Sequence, residues 1–355
     1  MNILESSIQI NKVNKSRLSE VNMNKIPFGR IFSDHMLVAH YEDGKWLAPQ
    51  IVPYEKLAIS PSNSALHYGQ SVFEGMKAFR GPLGEPLLFR PIENFKRLNR
   101  SAQRLCMPEI PESIFMNGLK ELVSLDQNWI PSVEQGSLYI RPLYFATDEY
   151  IGVKTSQTYM LVIMTCPVGA YYNDPVNLLA TTEYIRAAIG GTGAAKAAGN
   201  YAGSLWADKM AKDSGYNSVL WLDAKEHQYI EECGTMNIFF VIDDRILTPR
   251  LTGTILQGIT RDSVLRVLRD NGYQVEERQV SIYEIQAAYD SGALKEAFGT
   301  GTAVTVMPVG KIGFNGRNMV LPPLEDRPVS NWLAETMADI RNGVIKDPYG
   351  WVVKV

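Results

Sequence analysis

The chain has 355 residues, of which 45% are hydrophobic and 21% are charged, with 28 glycines and 19 prolines. This length favours two domains over one small core, and the composition is that of an ordinary globular protein. The formal net charge of -3 gives no basic field that would attract nucleic acid, so no nucleic-acid partner is expected.

The cysteines and histidines indicate neither disulfide bonds nor a metal site. Three cysteines and four histidines are scattered along the chain, without the spacing of a disulfide framework or of metal ligands. The N-terminal residues lack the apolar core of a signal peptide, and no apolar run approaches the ~20 residues that cross a bilayer. We therefore expect a cytoplasmic protein with no metal and no membrane partner.

The first half of the chain contains both strand and helix patterns. After a loosely structured, polar lead-in over residues 1–30, the dipeptide Asp43-Gly44 predicts the turn of a β-hairpin. Apolar residues at helical spacing predict two amphipathic helices, and β-branched and aromatic residues predict two strands. The helices are predicted near residues 95–105 and 115–122, and the strands at 137–146 and 157–165.

The segment Cys166–Pro175 separates this half from the next. Its proline, glycine and Asn-Asp residues should end the preceding strand and form a connection. Short strands then alternate with helices and turns, and a closing helix is predicted over residues 330–342. The strands are predicted at residues 219–222, 238–242, 296–298 and 303–307. We predict an α+β fold with mixed or antiparallel sheets: a small N-terminal domain over 1–168, a linker over 169–175 and a large C-terminal domain over 176–355.

The surroundings of Lys196 are the most unusual stretch of the chain. Lys196 lies in GGTGAAKAAGNY (190–201), among residues that have almost no side chain. Small neighbours let a flat ring lie close to the backbone, and they desolvate the amine, which favours the neutral form that attacks an aldehyde. On this stretch alone, a surface lysine in a flexible loop is the more common explanation. The glycine patterns of dinucleotide-binding and P-loop proteins are incomplete, so neither ligand is expected.

Two glycine-containing turns are suited to binding an anion. Gly258-Ile259-Thr260 opens a predicted amphipathic helix and would present free backbone N–H groups beside a hydroxyl. Gly299–Ala303, which includes Thr302, forms a second Gly/Thr turn ahead of a predicted strand. Each turn taken alone is better explained as an ordinary cap or turn.

An acid and a tyrosine would complete a pyridoxal phosphate site, which needs a lysine, a phosphate cradle, an acid on the ring nitrogen and a partner for the ring hydroxyl. Glu232 enters an apolar strand, where a carboxylate is costly without a cationic partner such as a protonated pyridine. The neighbouring Glu231 should point to the opposite side if the segment is extended. Tyr201 is a candidate partner for the ring hydroxyl, the alternative being a packed core tyrosine.

Together these motifs resemble the branched-chain aminotransferases, which belong to the D-alanine-aminotransferase-like pyridoxal phosphate enzymes. The resemblance extends from about Phe28 to the C-terminal helix. Its motifs are LHYGQSVFEGMKAFR (66–80), FRPIENFKRLNRSAQRL (89–105), LYIRPLYF (138–145), YIRAAIGGTGAAKAAGNYAGSL (184–205), EECGTMNIFF (231–240), LQGITRDSV (256–264) and FGTGTAV (298–304). The resemblance implies the two-domain D-amino-acid-aminotransferase-like fold, also called fold type IV.

The resemblance also implies roles for individual residues. Lys196 would carry pyridoxal 5'-phosphate as a Schiff base and act as the catalytic residue. The other implied cofactor-binding residues are Arg97, Arg186, Tyr201, Glu232, Gly258, Ile259, Thr260 and Thr302. The implied substrate-binding residues are Phe28, Tyr68, Phe73, Tyr139, Arg141, Val153, Tyr171, Thr302 and Ala303. Arg97 would otherwise be interpreted as a solvated helix charge. Val153 matches a residue that the family supplies from the partner subunit, so a homodimer is implied.

The implied reaction is reversible transfer of the amino group of L-leucine, L-isoleucine or L-valine to 2-oxoglutarate. Two alternatives with the same fold are a D-amino-acid aminotransferase and an aminodeoxychorismate lyase. A third is a pyridoxal phosphate carrier without catalysis, against which the complete aromatic set counts. One departure from some family members is that Val304 and Met307 replace a redox Cys-x-x-Cys, so that form of thiol regulation is not expected.

Overall fold

A computed structural model describes residues 8–169 and 174–355. The described residues divide into two compact units: the first comprises 8–169, 195–199 and 339–355, and the second comprises 174–194 and 200–338. The first unit therefore includes two segments from the second half of the chain, unlike the linear division predicted from the sequence. The boundaries of the predicted linker remain a prediction, because most of 169–175 lies outside the described residues.

The first unit is built on one sheet, in which antiparallel pairs predominate. Nine of its strands are β1 (Gln9–Ile10), β2 (His35–Glu42), β3 (Lys45–Trp46), β4 (Gln50–Pro53), β5 (Ser71–Phe73), β6 (Met76–Arg80), β7 (Pro86–Phe89), β8 (Gly136–Ala146) and β9 (Tyr159–Gly169). Their order is β1–β4–β2–β9–β8–β6–β7, followed by the C-terminal strand Val352–Lys354, while β3 pairs with β2 and β5 with β8. The C-terminal strand joins the first unit because it pairs antiparallel with β7.

Successive side chains along β8 alternate between a face that packs into the apolar core and the opposite face of the sheet. Leu138 and Ile140 belong to the apolar core, whereas Tyr139 and Arg141 project from the other face because successive side chains in a strand alternate. The helices α1 (Ser64–Tyr68), α2 (Pro91–Arg104) and α3 (Gly118–Leu125) also lie in this unit. Phe95 and Leu98 of α2 and Leu119 and Leu122 of α3 enter the same core, as their helical spacing predicts.

The second unit is built on a mixed sheet. Its strands are β10 (Val176–Thr181), β11 (Ser218–Leu222), β12 (Ile230–Cys233), β13 (Asn237–Ile242), β14 (Arg245–Pro249), β15 (Gln274–Arg278), β16 (Leu294–Gly301), β17 (Thr305–Phe314) and β18 (Arg317–Val320). The order is β12–β11–β10–β17–β16–β13–β14–β15, and β18 pairs with β17. Three pairs, β10–β11, β10–β17 and β14–β15, are parallel and the others are antiparallel. The predicted mixture of strand directions is confirmed.

The remaining helices follow Lys196 along the chain. They are α4 (Ala198–Ala202), α5 (Leu205–Asp213), α6 (Ile259–Asp270), α7 (Ile282–Asp290) and α8 (Pro328–Arg341). As predicted, α6 begins directly after Gly258 and ends at Asn271-Gly272, where Gly272 has a φ of 82°. The apolar positions Val264, Leu265 and Leu268 of α6 are buried.

Several predicted boundaries shift in the structure. The Asp43-Gly44 turn is confirmed, since β2 and β3 pair on either side of it with Glu42 opposite Lys45. The predicted loose lead-in is partly ordered: β1 pairs parallel with β4, and the Arg17 N–H donates to Asp34 at 3.0 Å. Strand β9 continues to Gly169 because the long pairing with β8 persists beyond the proline.

Among residues 8–169 and 174–355, no helix is both long enough and apolar enough to cross a membrane.

Candidate active site

Lys196 lies in the first unit, where two hydrogen bonds of its main chain fix its position. Its N–H donates to the Ser101 hydroxyl of α2 at 2.9 Å, and its carbonyl accepts from the Phe73 N–H of β5 at 3.1 Å. The two alanines next to Lys196, Ala195 and Ala197, are buried, at 6% and 4% exposed, whereas Ala194 is exposed. The Lys196 Nζ lies 4.9 Å from the centre of the Phe73 ring.

The electrostatic surroundings of Lys196 favour a neutral amine. Burial, and after it the positive charge of Arg97, lower the pKa of Lys196 to about 8, although Glu74 and Tyr139 act in the opposite direction. A further lowering contribution comes from Arg141. A much larger fraction of this amine than of an ordinary lysine is therefore unprotonated near neutral pH, and the unprotonated form is the one that attacks a carbonyl.

Arg97 forms a buried ion pair with Glu74. The Arg97 Nε and Nη2 groups donate to the two carboxylate oxygens at 2.7 and 2.9 Å, and the Asn94 amide donates to Glu74 at 2.8 Å. Arg97 is 5% exposed and Glu74 is fully buried. Burial opposes ionisation of Glu74, but the Arg97 guanidinium holds its pKa below the ordinary range. This bidentate geometry fixes the guanidinium in one orientation.

Arg141 is the second arginine near Lys196, and its contacts are aromatic. Its guanidinium lies 4.7 Å from the centre of the Phe73 ring and 5.3 Å from that of Tyr139, and it donates to the Tyr139 hydroxyl at 3.0 Å. Phe28 meets Tyr139 edge-on at 5.5 Å. Within the described ranges, no carboxylate pairs with Arg141, and its buried Nε has no hydrogen-bond partner. We call Lys196, Phe73, Glu74, Arg97, Tyr139 and Arg141 the lysine cluster.

The second unit contains a different charged group. Glu232 of β12 is 3% exposed; its Oε1 accepts from Arg186 Nη2 at 2.6 Å and from the Leu256 N–H at 2.7 Å. Arg186 also donates to the carbonyls of Gly193 and Thr254, each at 2.9 Å. The neighbouring Glu231 accepts from the Thr254 hydroxyl. We call Arg186, Glu231, Glu232, Thr254 and the Leu256 amide the paired-acid cluster.

The predicted anion-binding turns differ from each other in the structure. Gly258 is the N-cap of α6, and Ile259 and Thr260 form its first turn. A Cβ on Gly258 would lie 2.0 Å from Asn237 Oδ1, so any larger residue there would displace the Asn237 side chain. The second turn was predicted over residues 299–303, but β16 extends to Gly301 because Gly299 and Gly301 pair with β17. The turn therefore begins with Thr302 and Ala303.

The other predicted site residues are distributed as follows. Tyr201 is a partly buried residue of α4. Tyr68, at the end of α1, is 40% exposed, and Val153 is 90% exposed. Tyr171 lies outside the described residues. The structure thus gathers Lys196, Arg97, Phe28, Phe73, Tyr139 and Arg141 within the first unit, and Arg186 and Glu232 within the second.

Two residues of these clusters were missed by the sequence reasoning. Glu74 lies in SVFEGMKAF, where most side chains are apolar and Lys77 is the only other charged residue, so the argument that identified Glu232 applies to Glu74 as well. Thr254 had no comparable signal, because threonine is common in loops and its partner Glu231 is 23 residues away.

Comparisons with known proteins identify the family of this chain. The family model described as Amino-transferase class IV matches residues 71–312. Branched-chain-amino-acid aminotransferase 2 of Bacillus subtilis is 46% identical over 94% of this chain and 93% of its own length. Branched-chain-amino-acid transaminase 1 of the same organism is 47% identical over 94% of this chain and 95% of its own length.

Solved structures show the same fold. The T.th. branched-chain amino acid aminotransferase complexed with N-(5'-phosphopyridoxyl)-L-glutamate superimposes with a TM-score of 0.71 at 30% identity, covering 89% of this chain and 97% of that one. The Escherichia coli branched-chain amino acid aminotransferase has a TM-score of 0.73 at 28% identity and covers 90% and 98%. The predicted family, fold and cofactor class are confirmed. The chain belongs to the class IV aminotransferases, a pyridoxal-phosphate-dependent family, and within them to the branched-chain-amino-acid aminotransferases.

Proposed function

We propose that this chain transfers the amino group of L-leucine, L-isoleucine or L-valine to 2-oxoglutarate, reversibly, with Lys196 as the catalytic residue. The observation that carries the proposal is the lysine cluster. It places an amine with a pKa of about 8 near an arginine that has aromatic neighbours and, within the described chain, no carboxylate partner. Apolar rings suit a branched hydrocarbon, and the guanidinium suits the second carboxylate of glutamate.

The residues present fit pyridoxal phosphate. The cofactor needs a reactive amine, a carboxylate for the ring nitrogen and donors for its phosphate, and when bound it supplies an electron sink for the substrate's α-carbon. Lys196 would hold its aldehyde carbon, Glu232 its ring nitrogen and Tyr201 its ring hydroxyl. Arg186 would keep Glu232 in place. Donors suited to the phosphate are Arg97, the Gly258 to Thr260 segment at the start of α6, and Thr302.

Lys196 would perform two tasks in turn. Its amine would hold the cofactor before substrate binds, and its Nζ, once free, would take up and give back the proton of the substrate α-carbon. A group with a pKa near the working pH is suited to both steps. Two unlike substrates that occupy the same pocket in turn would react in two half-reactions, with the first product leaving before the second substrate binds, which predicts ping-pong kinetics.

Arg141 would allow one pocket to accept two unlike side chains. Glutamate brings a carboxylate that the guanidinium can bind bidentately. Leucine brings none, and the cation–π contacts with Phe73 and Tyr139 then keep the guanidinium in a favourable setting. Phe28, Tyr68, Tyr171 and Ala303 are the proposed remainder of the substrate wall.

We further propose that the protein is a cytoplasmic homodimer. The support is that Val153, which matches a residue donated by the partner subunit in the family, is 90% exposed within one chain. Ile151, two residues before it, is 72% exposed. Neighbouring exposed apolar side chains of this kind suit a subunit interface.

A panel of amino donors tests the proposed reaction. Purified holoenzyme should consume L-leucine, L-isoleucine and L-valine with 2-oxoglutarate and release glutamate. Turnover of D-alanine without that of L-leucine would identify a D-amino-acid aminotransferase, and pyruvate release from aminodeoxychorismate would identify the lyase. Tight pyridoxal phosphate binding without turnover of any donor would identify a carrier.

A further inference from the structure

Glu231 and Glu232 are consecutive buried acids that act on the same loop. Glu231 is 6% exposed and Glu232 is 3% exposed, both in β12. Glu232 accepts from the Leu256 N–H, and Glu231 accepts from the Thr254 hydroxyl. The loop that carries Thr254 and Leu256 is therefore held by both carboxyl groups, one through a side chain and one through the backbone.

Thr254 connects Glu231 to Arg186. Its single hydroxyl proton goes to Glu231, so the Thr252 hydroxyl must be the donor in the 2.7 Å contact between the two threonines. The Thr254 carbonyl accepts from Arg186 Nη2 at 2.9 Å. A Cβ on Gly193 would lie 2.3 Å from that carbonyl, and the Gly193 carbonyl accepts from the same Nη2 group. Arg186 is thus aimed at Glu232 by two carbonyls, one of which belongs to the residue that Glu231 holds.

The two acids are in different charge environments. Glu232 receives charge-assisted hydrogen bonding from Arg186, which stabilises a carboxylate. For Glu231, burial raises the pKa; the Thr254 hydroxyl and Arg186 act against the rise, and Asp223 adds to it. In the part of the chain that the structure describes, Glu231 Oε2 has no hydrogen-bond partner. A buried carboxyl oxygen without a hydrogen-bond partner costs less free energy when the group is a neutral acid than when it is a carboxylate anion.

We propose that Glu231 is a positioning residue of this site: as a neutral acid it fixes Thr254, which orients Arg186 on Glu232 and leaves Glu232 as the single anion of the pair. The proposal rests on the proposed function only for the role of Glu232 toward the pyridine nitrogen. The hydrogen-bond connection itself is a property of the protein without cofactor.

A double-mutant cycle in the apoprotein tests the connection. Glu231→Leu and Thr254→Val each remove one side of the hydrogen bond while keeping the side chain's approximate shape. Because both remove the same interaction, the double variant should lose clearly less unfolding free energy than the sum of the two single losses. Each single variant should also weaken pyridoxal phosphate binding about tenfold, the effect of one lost hydrogen bond to Arg186's supporting loop. Additive losses of stability would overturn the connection.

Two further variants separate positioning from general destabilisation. Thr248→Val removes another buried hydroxyl bond of the second unit, from Thr248 to the Ile238 carbonyl at 2.7 Å. It should lower stability but leave the dissociation constant of the cofactor unchanged. Glu231→Gln keeps an uncharged acceptor for Thr254 and should bind the cofactor about as tightly as the wild type. If Glu231→Gln impaired binding as strongly as Glu231→Leu, the neutral acid would be the wrong assignment.

The pH dependence of apoprotein stability tests the charge state. A group whose pKa is raised by folding holds a proton that the unfolded chain releases, so its contribution to stability declines as pH rises above about 4.3, the ordinary glutamate pKa. Glu231→Gln lacks this proton. The unfolding free energy of the wild type minus that of Glu231→Gln should therefore fall with rising pH. A difference that is constant or rises with pH would show an ionised Glu231.

Failure of the proposed function gives a different pattern. If Glu232 were not the acid on the pyridine nitrogen, Glu232→Gln would leave cofactor affinity and absorption unchanged, while Glu231 and Thr254 would still be coupled in the apoprotein. If only the Glu231 proposal were wrong, Glu232→Gln would impair the cofactor site and the coupling would be absent.

Discussion

The lysine cluster and the paired-acid cluster have opposite charge compositions. The lysine cluster has three basic side chains, Lys196, Arg97 and Arg141, and one carboxylate, Glu74, whereas the paired-acid cluster has two carboxyl groups and one arginine. In each cluster, burial shifts the pKa of one group in the direction that favours its neutral form. It lowers the pKa of Lys196 to about 8 and raises that of Glu231.

The shift of a pKa by burial therefore has a different consequence in each cluster. A neutral amine is a nucleophile and a base, so the lysine cluster gains its reactive group by losing a proton. A neutral carboxylic acid next to a carboxylate avoids repulsion between two buried anions, so the paired-acid cluster gains a single fixed negative charge.

Replacement of Lys196 should have the largest effect. On the proposed role of Lys196, Lys196→Ala would remove both the cofactor's attachment and the proton carrier, so transamination should fall by at least about 10³-fold, and the visible absorption of bound cofactor should be lost. Circular dichroism should show a folded chain, and Lys212→Ala, at an exposed lysine, serves as the control with full activity. Normal turnover by Lys196→Ala would refute its catalytic role.

Removing the charge of Glu232 in the paired-acid cluster should lower activity less than Lys196→Ala does. Glu232→Gln should keep the cofactor attached to Lys196 but slow proton abstraction on the order of 10²-fold or more, because the pyridine nitrogen loses the charge that holds its proton. Single-turnover rates with L-leucine measure this step. Unchanged turnover would mean that Glu231 or another acid serves the ring nitrogen.

Arg141 offers a selective test within the lysine cluster. Arg141→Met should weaken the glutamate and 2-oxoglutarate half-reaction by roughly 1.5–3 kcal/mol, about 10- to 150-fold, because a charged hydrogen bond is lost. The leucine half-reaction should be spared. Single-turnover rates measured separately with leucine and with glutamate test this selectivity. Equal losses for the two donors would show that Arg141 is structural.

The smallest expected effect is a shift in a pH profile. The amine of Lys196 reacts only when unprotonated, so the rate at which apoprotein captures pyridoxal phosphate should rise with pH to a midpoint near 8. An ordinary lysine would give a midpoint near about 10.4. Glu74→Gln should move the midpoint downward, because Glu74 raises the pKa of Lys196. A midpoint that stays in place would exclude electrostatic coupling between these two residues.

Features with a local cause were predictable from the sequence. The Asp43-Gly44 hairpin and helix α6 with its Gly258 cap follow from turn chemistry and capping. The role of Arg97 could come only from family resemblance, because a helix arginine has no local sign of a buried partner. Its pairing with Glu74, 23 residues away, is a tertiary contact.

Features with a distant cause were not predictable. The C-terminal strand belongs to the first unit because it pairs with β7, more than 250 residues earlier in the chain. The limits of β16 depend on pairing with β17 rather than on the glycines within it. Loop contacts such as that of Thr254 with Glu231 require the folded geometry.

Chemical identification of the cofactor's lysine tests the central claim most directly. Lys77 in β6 is the alternative lysine for attachment of the cofactor. Burial, together with the charge of Arg341, lowers the pKa of Lys77 to about 7, below that of Lys196. Holoenzyme reduced with borohydride should yield one pyridoxyl-labelled peptide in mass spectrometry, and we predict that the label is on Lys196. A label on Lys77 or any other lysine, with Lys196 unmodified, would contradict the assignment of the active site.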